Sequence, residues 1–309
     1  MITALFSASN SNWDKFSLAL REAFSSAGLE VDLTREADPS DVDYIIYAPN
    51  STLQDFTPFT NLKGVLSLWA GVESAVNNPT LTVPFTRMVS DGLSEGMVEW
   101  CVGHVLRHHL GMDRDICRGD AVWDPVIPPL ARDRPVTILG LGALGQAVAE
   151  ALIALNFPVT GWSRSLKEID GVTCLSGNAG LAEALKDAEI VVLLLPMTPQ
   201  TENVLDADRL SLLARGAFVI NPGRGPLIDD EALVSALDLG QVAHATLDVF
   251  RVEPLPEDHP FWAHPQVTVT PHIASDTRAD TAAAVIAENI RRGEAGEPFL
   301  HLVDRKAGY

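Results

Sequence analysis

The segment Gly140-Leu141-Gly142-Ala143-Leu144-Gly145 constrains this chain more than any other. It fits G-x-G-x-x-G, a weak pattern in isolation. Here it directly follows an apolar run, Val136–Leu139, and opens an amphipathic stretch, Leu144–Leu155. A strand that turns at once into a helix needs its first glycine for the tight turn and its third for close helix–strand packing. The second leaves no side chain where phosphates approach the backbone, and the N–H groups of the helix start face that spot. The pattern therefore predicts a βαβ unit that takes a dinucleotide pyrophosphate.

The same alternation runs through the chain, which signals parallel sheets covered on both faces. A first series reads as strands at Ile2–Phe6, Leu29–Leu33, Tyr44–Tyr47, Val65–Leu68 and Val83–Thr86. Between the first two, Trp13, Phe16, Leu20, Phe24 and Ala27 recur at helical spacing, and Gly28 follows as a stop. A long helix is expected over Ser94–His109. Asp113–Pro135 holds Pro125, Pro128, Pro129 and Pro135 and reads as an irregular surface connection. The second series places strands at Val136–Leu139, Val159–Trp162, Ile190–Leu195, Ala217–Ile220, Ala243–Val249 and Val267–Thr270. Helices fall between them at Leu144–Leu155, Leu181–Asp187, Asp208–Leu213 and Glu231–Leu239, with Gly216 and Gly240 as stops and Asp229/Asp230 as N-caps. A last helix is expected over Arg278–Arg292.

Length and charge narrow the partners. With 309 residues and 47% hydrophobic content, two medium domains with ample core are the natural division. Asp plus Glu number 41 against 22 Lys plus Arg, a net charge of −19. Such a surface lacks the cations that nucleic acid or anionic lipid requires. The clearest apolar run, Ile190–Leu195, is far shorter than the roughly 20 residues that span a bilayer. Met1–Phe6 carries no basic residue ahead of its apolar stretch, so no secretory signal and a cytoplasmic location are expected. Cys101, Cys117 and Cys174 form neither a disulfide framework nor a zinc motif. His104 and His108 stand four apart on one helix face, but no third ligand accompanies them and no metal is expected.

Cofactor choice is read after the next strand. An NAD-binding site places Asp or Glu about 20 residues beyond the glycines, on the ribose 2′-OH. This chain has Gly161-Trp162-Ser163-Arg164-Ser165 there, with no acid until Glu168. Ser163, Arg164 and Ser165 suit a 2′-phosphate, which a carboxylate would repel. NADPH is therefore expected to be preferred, with NADH also accepted.

Three later segments hold reactive side chains at successive strand ends. They are Asn221-Pro222-Gly223-Arg224-Gly225, then Asp248-Val249-Phe250-Arg251-Val252-Glu253-Pro254-Leu255-Pro256, then Thr270-Pro271-His272-Ile273-Ala274-Ser275. Ligands in such sheets bind outside the carboxyl ends of the strands, so Arg224, Glu253 and His272 are expected to converge beside a nicotinamide. Arg suits a carboxylate and polarises a carbonyl, and His titrates near neutrality. A carboxylate at hydrogen-bond distance raises the histidine pKa and fixes the ring. His259 and His264, beside Phe261 and Trp262, are expected to pack or cap a loop instead.

Taken together, the glycine loop, NPGRG, DVF…EPLP and TPHIA resemble the D-isomer-specific 2-hydroxyacid dehydrogenases, and most of all their glyoxylate/hydroxypyruvate reductase branch. The resemblance runs from Leu68-Trp69-Ala70-Gly71-Val72-Glu73 to the terminal Val303–Tyr309. It implies an α/β fold of two doubly wound parallel-sheet lobes, with a Rossmann cofactor domain (96–276) inserted in a flavodoxin-like substrate domain (1–95 and 277–309). It implies a homodimer with the active site in the cleft. It implies that Arg224 binds the keto acid, that His272 is the acid/base and that Glu253 is its partner. The dinucleotide would be lined by Gly140, Gly142, Ala143, Leu144, Gly145, Ser163, Arg164, Ser165, Pro196, Asn221, Pro222 and Gly223, with Asp248 facing the carboxamide. Trp69, Ala70, Gly71 and Tyr47 would join Arg224 around the substrate.

Two positions depart from the family pattern. Trp69 stands where a glycine is common, which implies a small, partly apolar pocket, and Pro222 removes an N–H near the cofactor. The activity implied is NAD(P)H-dependent reduction of glyoxylate and hydroxypyruvate. The alternatives are a larger 2-keto acid or a non-catalytic dinucleotide-binding regulator on the same fold. Both expected ligands are anions, so a locally positive cleft at Gly140–Gly145, Arg164 and Arg224 must sit inside the negative shell.

Overall fold

The computed structural model describes residues 1–116 and 118–308. In chain order its elements are β1 (Ile2–Ser7), α1 (Asn10–Ser26), β2 (Val31–Thr34), β3 (Tyr44–Tyr47), β4 (Gly64–Ser67), β5 (Phe85–Thr86), α2 (Asp91–Leu110) and α3 (Met112–Ile116). There follow β6 (Val136–Leu139), α4 (Ala143–Ala154), β7 (Val159–Ser163), β8 (Val172–Ser176), α5 (Gly177–Leu185), β9 (Ile190–Leu193), α6 (Ala207–Leu210) and β10 (Ala217–Asn221). The last are α7 (Asp230–Asp238), β11 (Val242–Leu247), β12 (Val267–Val269) and α8 (Ala279–Ala295). Two compact units emerge: Met1–Leu93 with the segment from Asp276 onward, and Ser94–Ser275.

The first unit holds a parallel sheet in the order β2-β1-β3-β4-β5, the flavodoxin-like arrangement. Period-two geometry sends Tyr44 and Ile46 to one face and Ile45 and Tyr47 to the other. On the first face Phe16, Leu20 and Phe24 of α1 meet Ala283, Ile286 and Ile290 of α8. Burying each large apolar side chain of this kind is worth about 1.5–3 kcal/mol. Ser9 caps α1 by accepting from the Asn12 N–H.

The second unit holds a seven-stranded parallel sheet in the order β12-β11-β10-β9-β6-β7-β8. Counted from its own first strand this is the doubly wound dinucleotide-binding order, extended by one strand, and the order reverses between β6 and β9. Asp229 caps α7 by accepting from the Ala232 N–H. Gly28 and Gly240 take positive φ just past the ends of α1 and α7, as anticipated, whereas α6 already ends at Leu210 and Gly216, also at positive φ, lies in the loop before β10.

Several elements differ from the sequence reading. β8 is new; none of its residues is buried and Thr173 is exposed, so it shows no apolar run. α5 begins at Gly177 rather than Leu181, through a Gly-Asn-Ala-Gly stretch of weak intrinsic propensity that its packing on β8 sustains. α2 begins at Asp91 rather than Ser94, and the short α3 falls inside the stretch expected to be irregular. Cys101 is buried and Cys174 part-buried, while Cys117 lies outside the described residues. Among the described residues no helix is long and apolar enough to cross a membrane.

Candidate active site

The turn from β6 into α4 is made by the glycines. Gly140 takes φ +113°, and a Cβ on Gly145 would stand 1.8 Å from the Gly140 carbonyl oxygen, so a side chain there would push the helix off the strand. Gly142 is the N-cap of α4 and supplies no side-chain acceptor, which leaves the N–H groups of the first turn uncapped. A Cβ on Gly142 would meet nothing within 4 Å. Uncapped donors beside open space are what a pyrophosphate needs, so this loop fits the group.

Neighbouring strand ends continue the row. Gly140 packs on Leu194 and Leu195 after β9, and Gly223 packs on Leu193 and Leu195 from the β10 side. The carbonyl of Pro196 accepts from the Thr201 hydroxyl at 2.7 Å, which closes the loop after β9. Beyond β7, Arg164 and Ser165 are exposed, whereas Ser163 is buried and its hydroxyl donates to the Ser165 carbonyl at 2.8 Å. Ser163 thus shapes the loop with its hydroxyl proton, and a 2′-phosphate would meet Arg164 and Ser165.

Asn221, expected at the cofactor, is almost fully buried at the end of β10. Its side chain accepts from the Gly223 N–H at 3.1 Å and donates to the Arg224 carbonyl at 2.9 Å. It therefore folds the Pro222–Arg224 turn. Gly225 lies so close to Phe250 and Arg251 that a Cβ would come within 2.0 Å of the Phe250 carbonyl carbon. This close approach sets the Arg224 loop against the loop that carries Glu253.

Glu253 and His272 meet directly. His272 Nδ1 is 2.7 Å from Glu253 Oε2, and Glu253 Oε1 accepts from the Phe250 N–H at 2.9 Å. The hydrogen bond to Glu253 raises the His272 pKa above its ordinary value, more than burial and the Arg224 charge lower it. Burial pushes Glu253 upward, but the bonds from His272 and Phe250, with the charges of His272 and Arg224, hold it below the ordinary carboxylate value. With Nδ1 turned to the carboxylate, Nε2 is the ring atom left for a ligand, and the side chain is 52% exposed.

Asp248, which the family resemblance sets facing the carboxamide, has no exposed surface. Its carboxylate accepts from the Thr270 hydroxyl at 2.6 Å and from the N–H groups of Ile273 and Ala274, each at 2.8 Å. These bonds anchor the His272 loop. Thr270, which the reading of the motif passed over, is part of that anchor.

In the first unit, Trp69, Ala70 and Gly71 follow β4. Ser67 clamps this turn with its hydroxyl, which accepts from the Trp69 N–H and donates to the Trp69 carbonyl, both at 3.0 Å. The Trp69 side chain is exposed rather than packed in the core. Tyr47 is the opposite case: its ring is buried edge-on against Phe56 and Phe85, so packing accounts for it and not a pocket wall.

Four other histidines make local or buried contacts within the second unit. His259 accepts from the Phe261 N–H and His264 from the Gln266 N–H, both in the loop expected to use them. His108 is buried with Nε2 2.9 Å from Thr246 Oγ1, and His244 Nε2 lies 2.8 Å from Thr268 Oγ1. Burial pushes His108 down to about 3 and His244 down to about 4. Among the described residues no three His, Cys, Asp or Glu side chains form a group that could hold a metal.

The chain is similar to known proteins in sequence and fold. Residues 101–274 match the model for the D-isomer specific 2-hydroxyacid dehydrogenase NAD-binding domain. The chain is 38% identical over 284 residues to glyoxylate/hydroxypyruvate reductase A of Yersinia enterocolitica, covering 89% of this chain and 90% of the relative. A D-isomer specific 2-hydroxyacid dehydrogenase from Xanthobacter autotrophicus Py2, solved with NADPH and MES, superposes with TM-score 0.93 at 41% identity over 99% of each chain. The NADPH-dependent glyoxylate/hydroxypyruvate reductase of Sinorhizobium meliloti, solved with NADP and sulfate, gives TM-score 0.88 at 33% identity over 100% of both chains.

Proposed function

Because the chain belongs to the D-isomer-specific 2-hydroxyacid dehydrogenases, we propose that it reduces glyoxylate and hydroxypyruvate to glycolate and D-glycerate, with NADPH preferred over NADH. The His272–Glu253 pair carries this reading: a histidine held by a carboxylate, with an arginine charge acting on both, at the strand ends of a dinucleotide-binding sheet. The bound nicotinamide supplies a hydride to the carbonyl carbon. Arg224 pairs with the substrate carboxylate and draws electron density toward the carbonyl oxygen. His272, as imidazolium, gives its Nε2 proton to that oxygen, and Glu253 stabilises the charged ring until the proton leaves.

The second unit is assigned to dinucleotide binding and the first to substrate recognition through Trp69, Ala70 and Gly71. Cofactor choice rests on Arg164 and Ser165, and on the relatives solved with NADPH or NADP. The reading includes a cytoplasmic homodimer. Support for the dimer comes from an apolar run in the segment before β6: Val122, Trp123, Val126, Ile127 and Leu130 are all exposed, Trp123 at 96%. Such a run on a monomer surface marks an interaction site, and sedimentation of the chain reads the assembly directly.

The deciding experiment is oxidation of NADPH with a panel of 2-keto acids, repeated with NADH. Turnover led by glyoxylate and hydroxypyruvate is expected. Preference for a branched-chain keto acid would replace the substrate assignment, and binding of NADPH without turnover of any keto acid would replace the enzyme with a regulator.

A further inference from the structure

Arg251 stands two residues before Glu253, and its side chain leaves the Glu253 loop altogether. The guanidinium Nη2 donates to the Ile228 carbonyl at 2.5 Å and to the Asn203 side-chain oxygen. Its Nε lies 3.7 Å from Asp230 Oδ1, and Nη1 lies 3.7 Å from Glu202 Oε1. The receiving segments are laced to each other. The Asn203 N–H donates to the Pro226 carbonyl at 2.8 Å, the Leu205 N–H to Leu227 at 3.0 Å, and the Asp229 N–H to Leu205 at 3.1 Å. The segment that holds Ile228 and Asp230 begins directly after Arg224, at a 3-10 turn over Gly225–Leu227. One planar fork thus spans from the loop that presents Glu253 to the segment that presents Arg224, a task that suits a guanidinium better than an ammonium.

We propose that Arg251 is a positioning residue, whose ties to Asn203, Ile228 and Asp230 set where Glu253 stands relative to His272 and Arg224. This rests on the reading that Arg224, Glu253 and His272 do the chemistry. Arg251 is distinct from all three, since every partner it has is structural. The Glu253 carboxylate is also held by the Phe250 N–H, and Phe250 is pressed against Gly225, so the Arg251 fork and this contact act on the same short stretch of chain. With the fork cut, Phe250 stays packed against Phe261 in the core, but the stretch from Arg251 to Glu253 loses its side-chain tie to Asn203 and Ile228, and the Glu253–His272 bond should lengthen or lose alignment.

The charged groups acting on His272 are Glu253, Arg224 and Asp248. Loosening Glu253 weakens the one hydrogen bond that holds the imidazolium, so the alkaline limb of the kcat profile should move to lower pH. The test uses the full chain with NADPH and glyoxylate. Arg251→Met removes the fork, Arg251→Lys keeps the charge without it, and Asn203→Gly cuts one tie while accommodating the φ of +50° at that residue. In Arg251→Met, kcat should fall about tenfold or more, because small misplacements of catalytic groups are costly. The alkaline limb should move down while NADPH affinity, read by fluorescence titration, stays near wild type. Asn203→Gly should show a smaller change of the same kind, and Arg251→Lys should recover only part of kcat.

Folded Arg251→Met and Asn203→Gly proteins with wild-type kcat and an unmoved limb would overturn the proposal. So would a loss in which kcat and NADPH affinity fall together with the limb in place, the mark of a merely structural arginine. If Arg251→Met does not fold, Asn203→Gly decides. His272→Ala separates the two levels: an active His272→Ala sinks the underlying mechanism, whereas an inactive one beside an unaltered Arg251→Met sinks this proposal alone.

Discussion

The backbone N–H of His272 donates to the backbone carbonyl of Asp248 at 2.8 Å, while the Asp248 carboxylate takes the N–H groups of the next two residues. His272 sits at φ +54°, a conformation that costs a non-glycine residue about 1–3 kcal/mol and persists only where neighbours enforce it. Asp248 is that enforcement. Asp248→Asn keeps the shape but replaces one acceptor by a donor that faces an N–H. A loss of about 1–3 kcal/mol in denaturant unfolding is expected, the cost of an unpaired buried polar group, together with a fall in kcat.

His272→Ala should lower kcat by about 10²–10⁴-fold, the usual scale for removal of a general acid. NADPH affinity should change little, because the ring approaches the substrate and not the phosphates. Steady-state rates set beside fluorescence titration read both.

Glu253→Gln tests the pH dependence. His272 is held above its ordinary pKa chiefly by the Glu253 bond, and reduction needs the charged ring. Wild-type kcat for reduction should therefore be full below that raised pKa and fall as pH rises through it. Without the carboxylate the fall should begin at lower pH. A profile that keeps its alkaline limb in Glu253→Gln would contradict the pairing.

Arg164→Asp should reverse cofactor choice. It exchanges a cation for a carboxylate beside the site expected for the 2′-phosphate. One charge-assisted hydrogen bond is worth about 1.5–3 kcal/mol, which corresponds to about tenfold or more in the ratio of NADPH to NADH affinity. The ratio of kcat/KM for the two cofactors measures it.

The buried pair His108 and His244 predicts acid sensitivity. Burial depresses both, to about 3 and about 4, so the folded chain keeps them neutral where the unfolded chain binds protons. Their contribution is present above the ordinary histidine pKa, erodes as pH falls below it, and is gone below the folded values. Urea midpoints should drop from neutral toward acidic pH, and His244→Gln should drop less steeply. A wild-type midpoint that stays level over that range would refute this.

Much of this was legible in the sequence because the signals are local. The glycine loop, the alternation of strands and helices, and the residue types of NPGRG, EPLP and TPHIA each need only a few adjacent residues to be read. What stayed hidden depends on partners far apart in the chain. The half-exposed strand β8 carries no apolar run, and its pairing with β7 alone makes it a strand. Tyr47 resembles a pocket residue until Phe56 and Phe85 are seen around it.

The sequence by itself determined the two sheets and the glycine turn from β6 into α4, and it put Arg224, Glu253 and His272 at successive strand ends, since periodicity and backbone sterics act between near neighbours. Only the tertiary structure decided what each polar group does. It made Asp248 and Asn221 loop anchors, bent the Ser163 hydroxyl onto its own loop, and tied Arg251 across to Asn203 and Ile228. A buried donor or acceptor must find a partner, and which one it finds depends on distances that the linear chain does not contain.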